Sequence, residues 1–191
     1  DRPITPRYGE AVEINALWYA NLKFMEQVEL RAGDDFKAAE YRELSERVRN
    51  SFNEKFWNAA EEALYDVIEG DPHQGAIRPN MIFAVSHSED LLSPGRQISV
   101  FNSVTKDLLS PYGLRTLSPR DSYYRGRYYT ERPPEEKDFA YHQGTVWTWL
   151  IGPYVDALVR IRRHEGKTGS EIQDEVRSLL APLVIFLMSN S

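Results

Sequence analysis

The sequence predicts an all-α domain built from antiparallel helical hairpins. Three observations carry this expectation. Apolar residues recur at helical spacing along most of the chain, helix-ending and helix-capping residues stand between these stretches, and no stretch carries a convincing strand alternation. The 191 residues make one domain or a large part of one, long enough to bury a sizeable core.

The elements follow in order. From Val12 to about Leu30, Ile14, Leu17, Trp18, Leu22, Met25 and Val28 fall on one helical stripe. Gly33 ends this helix, and Asp34 or Asp35 caps a second one with the stripe Tyr41, Leu44, Val48 and Phe52. A loop is expected from about Asn58 to Gly75, then a short helix near Asn80 to Ser86. Pro94 suits the first turn of a helix running to about Leu109. Ser110 to Gln143, with Pro111, Gly113, Pro119, Gly126, Pro133 and Pro134, is expected to be irregular; its Tyr and Arg content favours function over disorder. A helix from about Thr145 to Arg163 follows, kinked at Pro153. Ser170 and Gln173 then have capping-box spacing for a final helix through Val176, Leu179, Leu183 and Phe186. The pattern is about six helices in three antiparallel pairs, without a solenoid-type repeat.

Composition narrows the function. Hydrophobic residues are 41% and charged residues 27%, as in a folded soluble domain. The net charge of −6 and the lack of a Lys/Arg cluster argue against a nucleic-acid or anionic-membrane partner. An acidic protein accommodates a neutral polysaccharide without difficulty. Aromatics at 12% suit sugar stacking, although a helical core with wet Tyr edges would look similar. There is no Cys, which excludes disulfides and thiolate chemistry. The apolar run Leu179 to Met188 is broken by Pro182 and falls short of the ~20 residues of a membrane span. No signal peptide opens the chain, so a cytoplasmic location is expected. His73, His87, His142 and His164 have no metal-ligand spacing, and no phosphate-binding or nucleophile-elbow motif is present. No cofactor and no metal are expected.

Four segments break the amphipathic pattern. Gly9 to Tyr19 sets Glu13 and Asn15 among apolar neighbours at a helix start, where Glu13 either complements the helix dipole or faces a ligand. Ala76 to Ser86 places Arg78 and Asn80 around Pro79, ahead of a wholly apolar turn. Asn80 reads equally as a cap, whereas the five donors of Arg78 suit hydroxyl or carboxylate partners. The third segment, Ser110 to Pro119, contains Arg115. The fourth, Asp138 to Trp149, crowds Tyr141, His142, Gln143 and Trp147 around Gly144. Flat rings for a sugar's apolar face and short donors and acceptors for its hydroxyls are the side chains that read a carbohydrate. A lone His is more often structural, but this company favours a functional one. Hydrolysis of a glycosidic bond needs two carboxyl groups facing across it, and the pattern singles out no such pair.

Together these segments resemble the glycogen debranching enzyme family in its C-terminal amylo-α-1,6-glucosidase domain. The stretches VEINALWY, RPN-IFAVS, YGLRTLSP, YRGRYY and AYHQGTVW-WLIGP follow that family's pattern in order and at similar spacing over nearly the whole chain. The resemblance implies that residues 1–191 form about half, the C-terminal half, of an (α/α)6 toroid. It implies inverting hydrolysis of α-1,6-linked glucose at branch points of glycogen-like glucans, without a cofactor. The family's general acid sits in a TWMD-like segment ahead of the equivalent of Asp1, and its base in an SEIFDG-like segment after the last helix. No catalytic carboxylate is therefore expected within the chain. Ser170-Glu171-Ile172-Gln173-Asp174 imitates the second motif but reads as a helix cap, and Thr148 stands where the family usually has Pro. The expected substrate-binding residues are Tyr141, His142, Gln143 and Trp147, then Arg78, Asn80 and Arg115, then Glu13. The alternatives are a non-catalytic carbohydrate-binding helical module and a toroid hydrolase of other linkage specificity, glucoamylase-like or trehalase-like. Half a ring would leave apolar edges around Trp18, Val146, Leu150, Ile82 and Phe83, and a homodimer through those edges is expected.

Overall fold

The structure, a computed structural model, describes residues 5–70 and 75–189. It is mostly helical, as the spacing predicts. Helix α1 (Val12–Ala32) and helix α2 (Asp35–Lys55) form the first hairpin. The turn works as its residues require. Gly33 takes a left-handed φ of 81°, which frees the Asp34 N–H to reach the Glu29 carbonyl at 3.0 Å. The Asp34 carboxylate then caps α2 by accepting from Lys37 N at 3.0 Å. Buried Glu26 ties the two helices, accepting from Lys23 at 2.6 Å and from Arg42 at 2.8 Å.

The apolar stripe of α1 is not the expected one. Val12, Ala16, Tyr19 and Leu22 face the core, while Ile14, Trp18 and Val28 are exposed and Leu17 and Met25 half-buried. Both faces of α1 are apolar, so periodicity alone does not choose between them. The core selects the face whose small Ala16 permits close packing and whose Tyr19 hydroxyl reaches Asp90 at 2.8 Å. On α2 only Phe52 of the expected stripe is fully buried, stacked on Phe56 with ring centroids 4.7 Å apart.

Short strands appear where none was expected. Strands β1 (Glu10–Ala11), β2 (Trp57–Asn58), β3 (Ala63–Leu64) and β4 (Val67–Ile68) form two small antiparallel pairs, β1 with β4 and β2 with β3. Strands β3 and β4 lie in the expected loop between Asn58 and Gly75, β2 ends where that loop begins, and β1 directly precedes α1. His73 falls outside the described residues. Two- and three-residue strands carry too few positions for an alternating pattern to register in sequence.

A 3-10 turn over Pro79–Ile82 leads into α3 (Phe83–Ser86), and Ser93 caps α4 (Pro94–Leu108). The segment expected to be irregular from Ser110 to Gln143 contains ordered elements. Strands β5 (Leu109–Ser110) and β6 (Gly113–Arg115) form a hairpin, and α5 (Pro134–His142) follows. Strand β7 (Val146–Trp147) then joins β6, with Leu114 opposite Trp147 and Arg115 opposite Val146. The helix expected from Thr145 therefore begins later. After a 3-10 turn over Thr148–Leu150, α6 runs Ile151–His164. Pro153 falls in its first turn, where its missing N–H has no partner to lose, so it marks the start of a helix rather than a kink.

The last helix, α7 (Gly169–Ser189), packs back on α6, where Arg162 grips Glu175 at 2.7 to 3.0 Å. Its capping box lies two residues earlier than predicted. The Thr168 N–H donates to Glu171 Oε2 at 2.8 Å, and the Glu171 N–H donates to Thr168 Oγ1 at 3.3 Å. Glu171 is thus a helix cap, and its bonds to Thr168 hold its carboxyl below the usual range.

The core lies where α1, α3, α4 and α6 meet; Phe101 of α4 stacks on Tyr154 of α6 with centroids 5.1 Å apart. Leu150 and Ile82 are fully buried in it, against the expectation that they would border open edges. Val146 and Phe83 are half-buried, and Trp18 is 54% exposed. Among the described residues, no helix is long and apolar enough to cross a membrane.

Candidate substrate-binding site

Four parts of the chain converge on one cavity of about 460 Å³. Thr5, Arg7, Glu13 and Leu17 come from the start of α1 and the residues ahead of it, Arg78, Pro79 and Asn80 from the start of the 3-10 turn before α3, and Phe83 from the first residue of α3. Thr116 follows β6, and His142, Trp147 and Trp149 come from the end of α5, from β7 and from the turn after it. Backbone pairing makes this convergence. The β1–β4 ladder lays Asp66 beside the first turn of α1, where the Val12 N–H donates to the Asp66 carbonyl at 3.1 Å.

One wall is an ionic hub. Arg7 donates to both oxygens of Glu13, at 2.6 and 2.7 Å, and through Nε to Asp66 Oδ2 at 2.7 Å. Asn80 Nδ2 donates to the other Asp66 oxygen at 2.8 Å, and Arg78 Nε lies 3.9 Å from Oδ2. Burial alone would lower the pKa of Arg7, but the bonds and charges of Glu13 and Asp66 outweigh it and raise it. Burial pushes the Asp66 carboxyl up, against the pull of Arg7, Asn80 and Arg78. The desolvation cost and the ionic gain oppose each other here, so the hub fixes geometry more than it adds stability.

The second feature is a brace. Buried Arg78 donates through Nη1 to the carbonyls of Thr116 at 3.0 Å and His142 at 2.9 Å, and through Nη2 to Gln143 Oε1 at 2.7 Å. Gln143 Nε2 passes the link to Thr5 Oγ1 at 3.0 Å. The Gly144 N–H donates to Thr116 Oγ1 at 2.8 Å. Gly144 sits at φ 140°, and a Cβ there would lie 2.6 Å from the Tyr124 ring, so the turn needs glycine. These bonds fix residues 141–147 against the third segment.

The third feature is aromatic. Trp147 lies 6.1 Å from Trp149, 5.7 Å from His142 and 5.0 Å from Tyr141 between ring centroids. Its indole Nε1 is buried with no hydrogen-bond partner among the described residues. Burial lowers the pKa of His142, helped by Arg78 and opposed by Asp138, so the ring is neutral at neutral pH and can both donate and accept.

Of the residues singled out by sequence, Glu13, Arg78, Asn80, His142 and Trp147 line the cavity. Gln143 is buried behind it as part of the brace, and Tyr141 stands at its outer edge against Trp147. Arg115 lies apart from the lining, donating to the Leu109 carbonyl at 2.8 Å across the β5–β6 hairpin. Sequence reading missed Arg7, Asp66, Thr116 and Trp149. Asp66 carried a signal: it is the one acidic residue inside the apolar run Leu64 to Ile68. Arg7 carried none, because only the fold brings it between Glu13 and Asp66, the latter 59 residues away.

The wall thus offers flat rings, a neutral imidazole and fixed amide and guanidinium donors. Glu13 and Asp66 are both bound to Arg7, so neither is poised for proton transfer. Among the described residues, no group of three or more His, Asp or Glu side chains is placed to hold a metal ion.

Fold and cavity define an all-α helical-hairpin domain with an aromatic-walled, polar-floored pocket. The same fold occurs in a solved structure called Sialidase, with a TM-score of 0.70 and 15% identity over 93% of this chain and 16% of that one. The amylo-alpha-1,6-glucosidase family model matches residues 1–190, and the chain belongs to that family. The glycogen debranching enzyme of Saccharomyces cerevisiae (strain ATCC 204508 / S288c) is 28% identical over 192 residues, covering 82% of this chain. The match takes in 12% of the yeast protein's length.

Proposed function

We propose that this chain is the sugar-holding part of a glycoside hydrolase site acting on α-1,6-glucosidic branch points of glycogen-like glucans. The observation that carries the reading is the meeting of Trp147, Trp149 and neutral His142 over fixed polar groups in a single cavity. A glucose unit presents an apolar C–H face to the rings and hydroxyls to Asn80, His142 and the hub. Family membership supports the α-1,6 linkage in this reading, which takes the setting to be cytoplasmic.

In this reading the complete enzyme is an (α/α)6 toroid that works by inversion, and its acid and base come from residues other than those described. The carboxyls at the cavity support that division, since Arg7 binds both. The exposed α1 face, with Ile14, Trp18 and Phe24, is where further hairpins of the ring would pack.

The test is glucose release from a limit dextrin by the complete enzyme carrying this chain. Trp147→Ala is expected to lower kcat/KM at least several-fold, because lost ring stacking costs about 1 kcal/mol or more, with native helix content retained. Unchanged kinetics in a folded variant would return Trp147 to the core. Sugar binding without any glucose release would favour a non-catalytic module.

A further inference from the structure

The sugar cavity does not end at Trp147. Four rings form a continuous path leading out of it. Trp149 is followed by Trp147, Tyr141 and Tyr128, each centroid within 6.4 Å of the next. Three of the four are substantially in water, with Trp149 59%, Tyr141 45% and Tyr128 45% exposed. A row of rings that only filled a core would be buried along its length. Tyr128 stands between Arg127 and Tyr129, which line a second cleft of about 500 Å³ with Arg125, Arg132, Glu135 and Glu136.

We propose that this path is a binding platform for an α-glucan chain several units long, running from the cavity across Tyr141 and Tyr128 to the second cleft. The proposal rests on the sugar reading of the cavity and adds where the rest of the chain lies. The rings are tilted to one another by 32°, 44° and 71° along the path, so each meets a different unit of a bending chain without demanding a fixed hydroxyl pattern at each step. The cleft beyond offers guanidinium donors and carboxylate acceptors side by side, with Arg132 Nη1 3.5 Å from Glu136 Oε2. Such a mixed surface suits a neutral polyhydroxyl chain. A polyanion that stacks its bases would meet the two glutamates and a chain of net charge −6.

The experiment compares the binding of glucose and of maltoheptaose to the protein, by calorimetry and by tryptophan fluorescence. The expected native result is tighter binding of the longer sugar. Tyr128→Ala should weaken maltoheptaose binding about five- to tenfold and leave glucose binding unchanged, as the loss of one stacking ring implies. Tyr128→Phe should retain the native ratio, and Phe36→Ala, which removes an exposed ring away from the path, should change neither sugar. Equal loss of both sugars in Tyr128→Ala, or no loss of either, would overturn the platform and leave the cavity reading standing. Failure of the native protein to bind either sugar would overturn the cavity reading and the platform with it.

Discussion

Replacing Arg78 with Met should uncouple the site from the fold. Arg78 spends three donor contacts on the Thr116 carbonyl, the His142 carbonyl and the Gln143 side chain, all at 3.0 Å or less. Met fills similar volume but donates nothing, so three acceptors lose an ionised donor in a buried setting. At about 1.5 kcal/mol each, the low end for hydrogen bonds to charged groups, the loss is roughly 4.5 kcal/mol. For a chain of this size that corresponds to about 10 °C in Tm. Loss of the counter-charge near Asp66 adds to it. Thermal and urea unfolding would measure the change, and sugar binding followed through Trp147 and Trp149 fluorescence would measure the site. Binding should fall more than tenfold even under conditions where the variant stays folded, because residues 141–147 lose their anchor. Arg78→Lys should recover little, since one ammonium cannot reach three acceptors in that fork. If Arg78→Met unfolds within about 1 kcal/mol of native and binds sugar normally, the brace is not what holds the site.

Lowering the pH should destabilise the protein through His142. Its folded pKa lies below the unfolded value of about 6.5, so its contribution is fully present above that value and is lost as pH falls through the folded pKa. The acid limb of the Tm–pH profile should flatten in His142→Gln, and an unchanged slope would place the ring in water. The chain alone is expected to release no glucose from a limit dextrin, because Arg7 binds Glu13 and Asp66 and Glu171 caps α7. Turnover clearly above a blank, lost in Glu13→Gln or Glu171→Gln, would reassign that residue as catalytic. Taken by itself, the chain should also form a two-fold dimer that covers exposed Ile14, Trp18 and Phe24 of α1. Sedimentation equilibrium at micromolar protein showing only monomer would count against these open edges.

Much of the fold was legible because local rules and tertiary needs agreed. Gly33 and Asp34 end and begin helices by backbone geometry that any helical fold requires, and Pro94 needs only the first turn of α4. The failures have a common physical source. Short strands such as β1 with β4 are set by partners more than 50 residues apart in sequence, here Glu10 with Ile68. On α1 only Leu22 of the expected stripe is fully buried, because a helix apolar on two sides carries no preference until the core is assembled. At Thr145 to Leu150 the pull of β6 wins over a helical pattern that continues unbroken from Val146 to Ile161.

The site shows the same division between what contacts and what supports. His142 and Trp147 stand out in the sequence by their chemical character, and both line the cavity. Arg78 was readable as unusual, yet its bonds to the Thr116 and His142 carbonyls and the Gln143 amide make it a brace. Asp66 is buried between residues that reach it from both sides, Arg7 and Asn80. A carboxylate in that position would be costly unless its partners are held still, and holding them still is what shapes the cavity. Glu13 and Asp66 are therefore both held by Arg7. In the proposed reading a bound sugar leans on their partners, and the chemistry on the bond comes from carboxyls that no arginine claims.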